Sequence, residues 1–245
     1  MGQADPCFPS LRSVSMNPSP PLVSVIMPVC NGESYVDQAL QSVFKDLYRP
    51  IEVIAVDDGS SDNTARIIGR YGEVRYVYQD NGGVASARNK GIALSRGEII
   101  AFMDCDDIWQ PGRLTATVRF FQEHPDTGYV LAKQMMFVEP GCDIPPWVKP
   151  QWLRQPQDAS NTGVLVARRA TFDRVGLFNQ DIGGEDTEWL VRASEAGVPM
   201  ARLPEVVLHR RIHGENLSVK MLGMRRNNLM RIARESIRRQ QEKEA

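Results

Sequence analysis

Residues 98–107 read EIIAFMDCDD, an apolar run that stops abruptly in a cluster of carboxylates. Five consecutive apolar residues, two of them Ile, predict a strand that is buried on both faces of a sheet. Because Asp is disfavoured inside strands, the strand is expected to end at Asp104. The carboxylates that follow repel one another, and Mg²⁺ or Mn²⁺ bound at the Asp-x-Asp of Asp104 and Asp106 would neutralise them. A solvated acidic turn that caps the next helix is the competing interpretation.

Three further apolar segments precede this strand, and each of them also ends in polar or turn-forming residues. They are residues 22–27, 51–56 and 74–78, and a helical pattern follows each one. This rhythm predicts an α/β protein with right-handed crossovers and a mostly parallel central sheet flanked by helices. We expect Pro28 to end the first strand, because proline cannot donate to a central ladder. The strand ends then meet at one edge, where open α/β sheets bind their ligands.

The composition fits one large globular α/β domain, with 245 residues of which 42% are hydrophobic and 24% are charged. The four Cys are scattered without disulfide or metal-ligand spacing, which favours a reducing, cytoplasmic environment. No apolar run reaches the ~20 residues that a membrane span needs, and the N-terminus lacks the pattern of a signal peptide. Residues 1–21 are rich in proline and predict a disordered leader.

The predicted strand ends carry neither of the two common phosphate-binding patterns, G-x-G-x-x-G and G-x-x-x-x-G-K-[ST]. A carboxylate after the second strand can accept hydrogen bonds from a ribose hydroxyl or a base N–H. The carboxylates after the fourth strand can hold a cation against a diphosphate. A nucleoside diphosphate that lies across the strand ends satisfies both features.

Four motifs follow one another along the chain: VSVIMPVCNG at 23–32, VDDGSSD at 56–62, NGGVASARN at 81–89 and DCDD at 104–107. In this order they resemble the motifs of family 2 glycosyltransferases of the GT-A fold, and the likeness covers about residues 22–218. The resemblance implies an inverting, metal-dependent transfer of a sugar from a nucleotide-sugar donor. A UDP-sugar is expected rather than a GDP- or dTDP-sugar, and nucleic acid is not expected among the partners.

The resemblance also implies roles for individual residues. Those that it places at the nucleotide-sugar are Pro28, Val29, Asn31, Glu33, Asp57, Asp58, Arg88, Asn89, Asp104, Cys105 and Asp106. Within this set Asp57 is expected to contact the base. Asp106 is expected to ligate Mn²⁺ or Mg²⁺ directly, and Asp104 and His213 complete the predicted metal site. For Arg88 and Asn89, helix capping and a surface ion pair stay open as the alternative.

A second pair of carboxylates, Glu185 and Asp186, follows two glycines at the start of a predicted helix. A carboxylate at a helix N-terminus is favourable by roughly 0.3–1 kcal/mol, so a simple helix cap is one interpretation. The resemblance implies a sharper one, in which Asp186 is the general base that inversion requires and Glu185 assists it or orients the acceptor.

The predicted domain divides into a nucleotide-binding half, about residues 22–107, and an acceptor half, about residues 108–218. Residues 219–245 form a basic, amphipathic helical extension with a loose apolar stripe through Leu222, Leu229, Ala233 and Ile237. Packing on the body, homodimer formation and contact with a membrane surface are all open for it, so a membrane-peripheral location is open too. The acceptor is a glycan, lipid, peptide or small molecule. In the proline-rich residues 139–160, Trp147 and Trp152 are expected to anchor the segment rather than stack on a sugar.

Two other functions remain open at this point. An apolar strand that ends in Asp-x-Asp is also typical of haloacid-dehalogenase-like phosphatases, and Asp104 would then be the nucleophile. That interpretation leaves the VDDGSSD motif and the pair Glu185 and Asp186 unexplained. The third hypothesis is a non-catalytic protein that binds sugar nucleotides or glycans, and it predicts that Asp186 is dispensable.

Overall fold

The computed structural model describes residues 19–216 and 225–244. Most of the predicted leader, residues 1–18, lies outside the described residues. Residues 217–224, which include the start of the predicted extension at 219, and Ala245 lie outside them too. The strands are β1 Val23–Val29, β2 Ile51–Asp58, β3 Val74–Gln79, β4 Ile99–Phe102, β5 Ile108–Trp109, β6 Tyr129–Val138, β7 Gln157–Asp158, β8 Val166–Arg168 and β9 Met200–Ile212. The helices are α1 Val36–Phe44, α2 Thr64–Ile68, α3 Val84–Leu94, α4 Arg113–Glu123, α5 Arg169–Val175, α6 Glu185–Glu195 and α7 Arg225–Glu244, with 3₁₀ turns at Pro150–Leu153 and Thr162–Val164.

A single sheet joins the nine strands in the order β3-β2-β1-β4-β8-β6-β9-β5, with β7 paired to β6. The first four strands are mutually parallel, as the alternation of strand and helix predicted. From β8 onward the sheet is mixed, because β8 runs antiparallel to both β4 and β6 whereas β6 and β9 are parallel. The predicted α/β class is therefore confirmed, and the predicted parallel pairing holds for β1 to β4.

The first strand does not end at Pro28, contrary to the sequence-based expectation. Pro28 pairs with Val56 inside β1, and the strand continues to Val29. The carbonyl of Ile26 accepts from the N–H of Met103, on the side of β1 that faces β4. Two residues later the backbone of Pro28 faces the same side, but β4 has already ended at Phe102. The missing N–H therefore costs no ladder hydrogen bond, and a proline fits in this central strand.

Close packing of α3 on the sheet depends on one glycine. A Cβ added to Gly91 would lie 2.3 Å from a side-chain carbon of Ile26 in β1. We expect Gly91→Ala to lower the free energy of unfolding by about 1–3 kcal/mol, although alanine is the better helix former. Chemical denaturation checks this, with Gly72→Ala as the control, because a Cβ at Gly72 meets no atom within 4 Å. Equal stability of the two variants would contradict the close approach.

Helix α7 packs on the body of the protein, chiefly on α6. Arg239 Nε donates to Glu195 at 2.7 Å, and the hydroxyl of Ser236 donates to the same carboxylate. The apolar contact is made by Ile232, which is buried, whereas Leu229 and Ile237 of the predicted stripe are about half exposed. The contact with the body is thus made by the Arg239–Glu195 ion pair and Ile232 rather than by Leu229 and Ile237, while Leu222 of the predicted stripe lies outside the described residues. Among the described helices, none is long and apolar enough to cross a membrane.

Candidate functional site

Two adjoining cavities open at the carboxyl ends of the parallel strands. The first, which we call the strand-end cavity, has a volume of about 640 Å³ and lies over β1, β2 and β4. The second, which we call the tryptophan cavity because Trp147 and Trp152 line it, has a volume of about 560 Å³. The residues that line both are Val84, Arg88, Asp104, Asp107 and Arg210. The two cavities therefore form one continuous site with a charged junction.

The end of β1 and the loop after it form one wall of the strand-end cavity through Pro28, Val29 and Asn31. Asn31 has a positive φ of 51°, and its amide oxygen accepts from the N–H of Ser61 at 2.9 Å. Glu33 does not line this cavity. Its carboxylate accepts from the N–H and the side chain of Asn63 at 3.0 and 2.9 Å, so Glu33 holds the loop against the start of α2. Its predicted contact with the nucleotide stays a prediction.

The two carboxylates that end β2 have different surroundings. Asp58 lines the strand-end cavity and accepts the backbone N–H groups of Gly82 and Gly83 at 2.8 and 2.9 Å, which orders the loop before α3. Asp57 is 1% exposed, and it accepts from the Tyr76 hydroxyl and the N–H of Ser60, both at 2.8 Å. A base contact by Asp57, which remains untested, would require this pair of hydrogen bonds to rearrange.

The Asp-x-Asp motif lies at the junction of the two cavities, and Cys105 between its carboxylates also lines the strand-end cavity. Asp106 Oδ2 lies 3.1 Å from His213 Nε2 and accepts from Asn216 Nδ2 at 2.9 Å. Burial would raise the pKa of Asp106, but the hydrogen bond and charge of His213 outweigh it, so the pKa lies below its ordinary value. The ring of Tyr35 packs against His213 in a tilted arrangement, with the ring centroids 4.6 Å apart. The structure thus brings the predicted ligands Asp106 and His213 together.

Arg88 connects this motif to the second pair of carboxylates. One guanidinium nitrogen pairs with Asp104 at 2.8 Å and another pairs with Glu185, 97 residues further along the chain. The neighbouring Asn89 is buried and holds the backbone of Phe178 through two hydrogen bonds of 2.8 and 3.0 Å. Both side chains of α3 therefore fix the segment before α6. Asn89 does not line either cavity, and its predicted place beside the donor stays a prediction.

Asp186 lies in the first turn of α6 and lines the tryptophan cavity. Gly184, with φ of 88°, gives the chain the left-handed turn that starts this helix. The carboxylate accepts from the N–H of Thr187 at 2.6 Å. Burial, followed by the nearby charge of Glu185, raises the pKa of Asp186 above its ordinary value. The arrangement presents a carboxylate of increased basicity to the second cavity.

Several residues of the site were not assigned a definite role from the sequence. Arg211 donates from its backbone N–H to Asp107 and from Nε to the carbonyl of Asp106, both at 2.9 Å, and it also pairs with Glu139. Its guanidinium carbon lies 4.8 Å from the ring centroid of Tyr35. These contacts join positions that are more than 70 residues apart, and the only sequence signal for them is the basic run that surrounds His213.

The donor set at Asp106 suits a divalent cation that shares its coordination with a ligand. Within residues 19–216 and 225–244 no group of three His, Cys, Asp or Glu side chains could hold a metal ion. Mg²⁺ and Mn²⁺ sites that bind substrate phosphates need only one or two protein carboxylates, because phosphate oxygens and waters supply the remaining ligands. Asp106 and His213 meet that smaller requirement.

With this geometry established, comparison with known proteins identifies the family. The family model described as glycosyl transferase family 2 matches residues 24–175, more than half of the chain. The chain belongs to glycosyl transferase family 2. The matched range runs from β1 to α5 and includes the Asp-x-Asp motif. It ends before Asp186 and α7, so the family model itself does not cover those elements.

Curated relatives and solved structures agree with this membership. An uncharacterised glycosyltransferase of Rickettsia typhi is 36% identical over 181 residues, which are 69% of this chain and 57% of that protein. Chondroitin synthase of Escherichia coli is 26% identical over 230 residues, 89% of this chain and 33% of that protein. The chain thus spans 33% to 57% of the length of these two relatives.

Two solved structures show the same fold. A mannosyltransferase from Pyrobaculum calidifontis, in complex with GDP-Man and Mn²⁺, superposes with a TM-score of 0.69 at 23% identity, covering 90% of this chain and 65% of that one. TarS 1–349 of S. aureus, in complex with UDP-GlcNAc, gives a TM-score of 0.65 at 22% identity, covering 79% of this chain and 59% of that one. The predicted GT-A fold and the predicted family are therefore both confirmed.

Proposed function

We propose that this chain carries the catalytic site of an inverting glycosyltransferase. It would move a sugar from a nucleoside-diphosphate sugar in the strand-end cavity to an acceptor hydroxyl in the tryptophan cavity. The observation that carries this proposal is the junction between the cavities, where Arg88, Asp104 and Asp107 line both. A diphosphate beside Asp106 and an acceptor beside Asp186 would then meet across this junction.

Asp186 is better suited than Glu185 to act as the general base. Glu185 pairs with the guanidinium of Arg88, so its negative charge is already compensated. Asp186 is bound by the N–H of Thr187, and burial raises its pKa. A carboxylate with a raised pKa is a stronger base, and it takes a hydroxyl proton more readily as the acceptor oxygen attacks the anomeric carbon. Glu185 then orients Arg88 and the loop rather than moving a proton.

The leaving diphosphate is the second place where charge develops. Asp106 and His213 would hold Mn²⁺ or Mg²⁺ there. The bound cation supplies Lewis-acid stabilisation of the diphosphate oxygens. Asn216 donates to the carboxylate of Asp106 and Arg211 donates to its backbone carbonyl, both at 2.9 Å. The proposed metal ligand Asp106 is therefore already oriented when the donor binds.

UDP is the first candidate for the donor nucleotide, on the resemblance of the motifs. One structural neighbour binds UDP-GlcNAc and another binds GDP-Man with Mn²⁺, so both bases occur on this fold. We also propose a cytoplasmic site of action, with a membrane or homodimer contact through α7 as a further option. The phosphatase alternative needs Asp104 as a nucleophile, whereas Arg88 pairs with that carboxylate at 2.8 Å.

Calorimetric titration of UDP, GDP and dTDP, each with and without Mn²⁺, tests the proposed donor site. We expect one diphosphate to bind, and its affinity to rise when Mn²⁺ is present, because the carboxylates at the junction repel an uncompensated diphosphate. Hydrolysis of the matching nucleotide-sugar can then be assayed by measuring the diphosphate that is released. This activity can be measured without knowing the acceptor. Absence of binding by all three diphosphates under both conditions would refute the proposed function.

A further inference from the structure

We infer that the tryptophan cavity binds a neutral saccharide as the acceptor, against Trp147 and under a wall formed by α7. This inference rests on the proposed function and extends it from an unspecified acceptor to one chemical class. Four features of the cavity carry it: its aromatic side, its buried unpaired donors, its charge and its boundary.

The aromatic side of the cavity consists of Trp147 and Trp152. Both pack against the buried cluster of Met136, Val148 and Ile212, so the anchoring expected from the sequence is present. Both also line the cavity, which shows that anchoring and ligand contact are not exclusive. The guanidinium carbon of Arg210 lies 5.9 Å from the Trp147 ring, and Arg210 lines both cavities. Trp147 therefore lies close to the junction where transfer takes place.

Two hydrogen-bond donors of residues in the cavity lining have no partner among the described residues. They are Trp147 Nε1 and Gln157 Nε2, and both atoms are buried. Buried donors are normally satisfied, and a small reorientation of the two side chains towards the cavity would let a ligand oxygen accept from them. Asn161 and Gln134, which are joined by a 2.9 Å hydrogen bond, add further amide groups to the same lining. An apolar ring face with amide and indole donors around it suits the alternating C–H and hydroxyl groups of a sugar.

The charge of the cavity argues against an anionic acceptor. The carboxylates that line it are Asp104, Asp107, Asp158, Glu185 and Asp186. Arg88 already pairs with two of them, Asp104 and Glu185. The other cation in the lining is Arg210, whose guanidinium carbon lies over the Trp147 ring at the junction of the two cavities. Like charges in a partly buried site are destabilising, so a phosphate or carboxylate on the acceptor would weaken binding.

Helix α7 contributes to the boundary of the cavity through Asn228, Leu229 and Ile232. Ile232 is buried, and its Cδ1 lies 3.9 Å from the position of a Cβ at Gly184, two residues before Asp186. Arg231 Nη1 donates to the carbonyl of Asp181 at 2.8 Å in the loop that leads to the same turn. Helix α7 therefore shapes the acceptor cavity and supports the loop that carries the base.

Saccharide binding to the full chain tests the class of acceptor, in the presence of Mn²⁺ and a saturating concentration of whichever of UDP, GDP and dTDP binds. The neutral probes are N,N′-diacetylchitobiose, lactose and maltose, and the anionic probes are glucuronic acid, glucose 6-phosphate and glycerol 3-phosphate. We expect a neutral probe to bind, and Trp147→Ala to weaken it by about tenfold or more, as truncation of a buried Trp contact does elsewhere. The matched control is Ile144→Ala, since Ile144 belongs to the same segment but is 55% exposed and does not line the cavity.

Leu229→Arg gives a second variant that does not depend on the fold of the 139–160 segment. We expect it to lower the affinity for the neutral saccharide by a similar factor. Ile237→Arg is its control, because Ile237 lies eight residues further along α7 and is exposed, and we expect no change in affinity there. Affinity for the nucleoside diphosphate should be unchanged in all four variants. Tighter binding of an anionic probe, binding by none of the probes, or no loss in both Trp147→Ala and Leu229→Arg would overturn the inference. Failure of UDP, GDP and dTDP alike to bind would instead count against the proposed function.

Discussion

Replacing Asp186 with Asn is expected to lower kcat for sugar transfer by about 10²–10⁴-fold, the usual contribution of a general base. The change keeps the size of the side chain, and the amide oxygen can still accept from the N–H of Thr187, which now binds the carboxylate at 2.6 Å. The protein should therefore fold and bind the nucleoside diphosphate as before. What would be lost is the proposed general base, which would take the proton from the acceptor hydroxyl.

The dependence of the rate on pH provides an independent readout of the same residue. Burial and the charge of Glu185 raise the pKa of Asp186 above its ordinary value of 3.8. The base works only when it is ionised, so kcat/KM should fall as the pH is lowered through this raised pKa. In Asp186→Asn this acidic limb should disappear together with most of the activity.

Asp181→Asn is the matched control for this variant. Asp181 lies five residues earlier in the same loop and is exposed, and its contact with Arg231 is made by its backbone carbonyl. The control should retain full activity, which separates the loss of one negative charge near α6 from the loss of the base. Unchanged turnover in Asp186→Asn would remove Asp186 from catalysis and favour a protein that binds sugar nucleotides without transferring the sugar.

The parts of the site that were predictable from the sequence are those fixed by local pattern. An apolar run followed by Asp104 and Asp106 predicts both a buried strand and the place where it ends. A charged side chain is not tolerated in a strand that is buried between two layers of helices. The same reasoning placed the turn after β2 at the edge of the sheet. Since parallel strands all present their carboxyl ends at one edge, local signals were enough to predict where the site lies.

The less predictable parts depend on contacts between distant segments. β9 is 13 residues long, much longer than the apolar core of residues 206–208, because its outer residues pair along β6 despite their polarity. The residues around Glu33 in the sequence do not indicate that its carboxylate will accept a hydrogen bond from Asn63. The face of α7 that docks on the body is equally hard to predict. It is set by the hydrogen bonds of Arg239 and Ser236 with Glu195 on α6 and not by the apolar period of the helix itself.

Replacing Asp106 with Asn should abolish the increase in diphosphate affinity that Mn²⁺ produces, and lower turnover by on the order of 10³-fold. Asp106 is the carboxylate in contact with His213, at 3.1 Å, whereas Asp104 is already paired with Arg88. Asp104→Asn should therefore reduce the effect of Mn²⁺ less than Asp106→Asn does. Calorimetry with and without Mn²⁺ measures this difference directly.

The control for Asp106 must remove a negative charge near the strand ends without removing a ligand. Asp80→Asn does this, because Asp80 is exposed, directly follows β3 and does not line the strand-end cavity. If Asp106→Asn, Asp104→Asn and Asp80→Asn all lost the same small amount of affinity, Asp106 would act only through its contribution to the negative charge of the region and not as a metal ligand. If Mn²⁺ strengthened binding equally in the native protein and in Asp106→Asn, the cation would be held elsewhere. The largest loss in Asp106→Asn, a smaller loss in Asp104→Asn and none in Asp80→Asn is the pattern that a cation shared between Asp106 and the diphosphate requires, because the cation then binds well only when both sets of oxygen ligands are present.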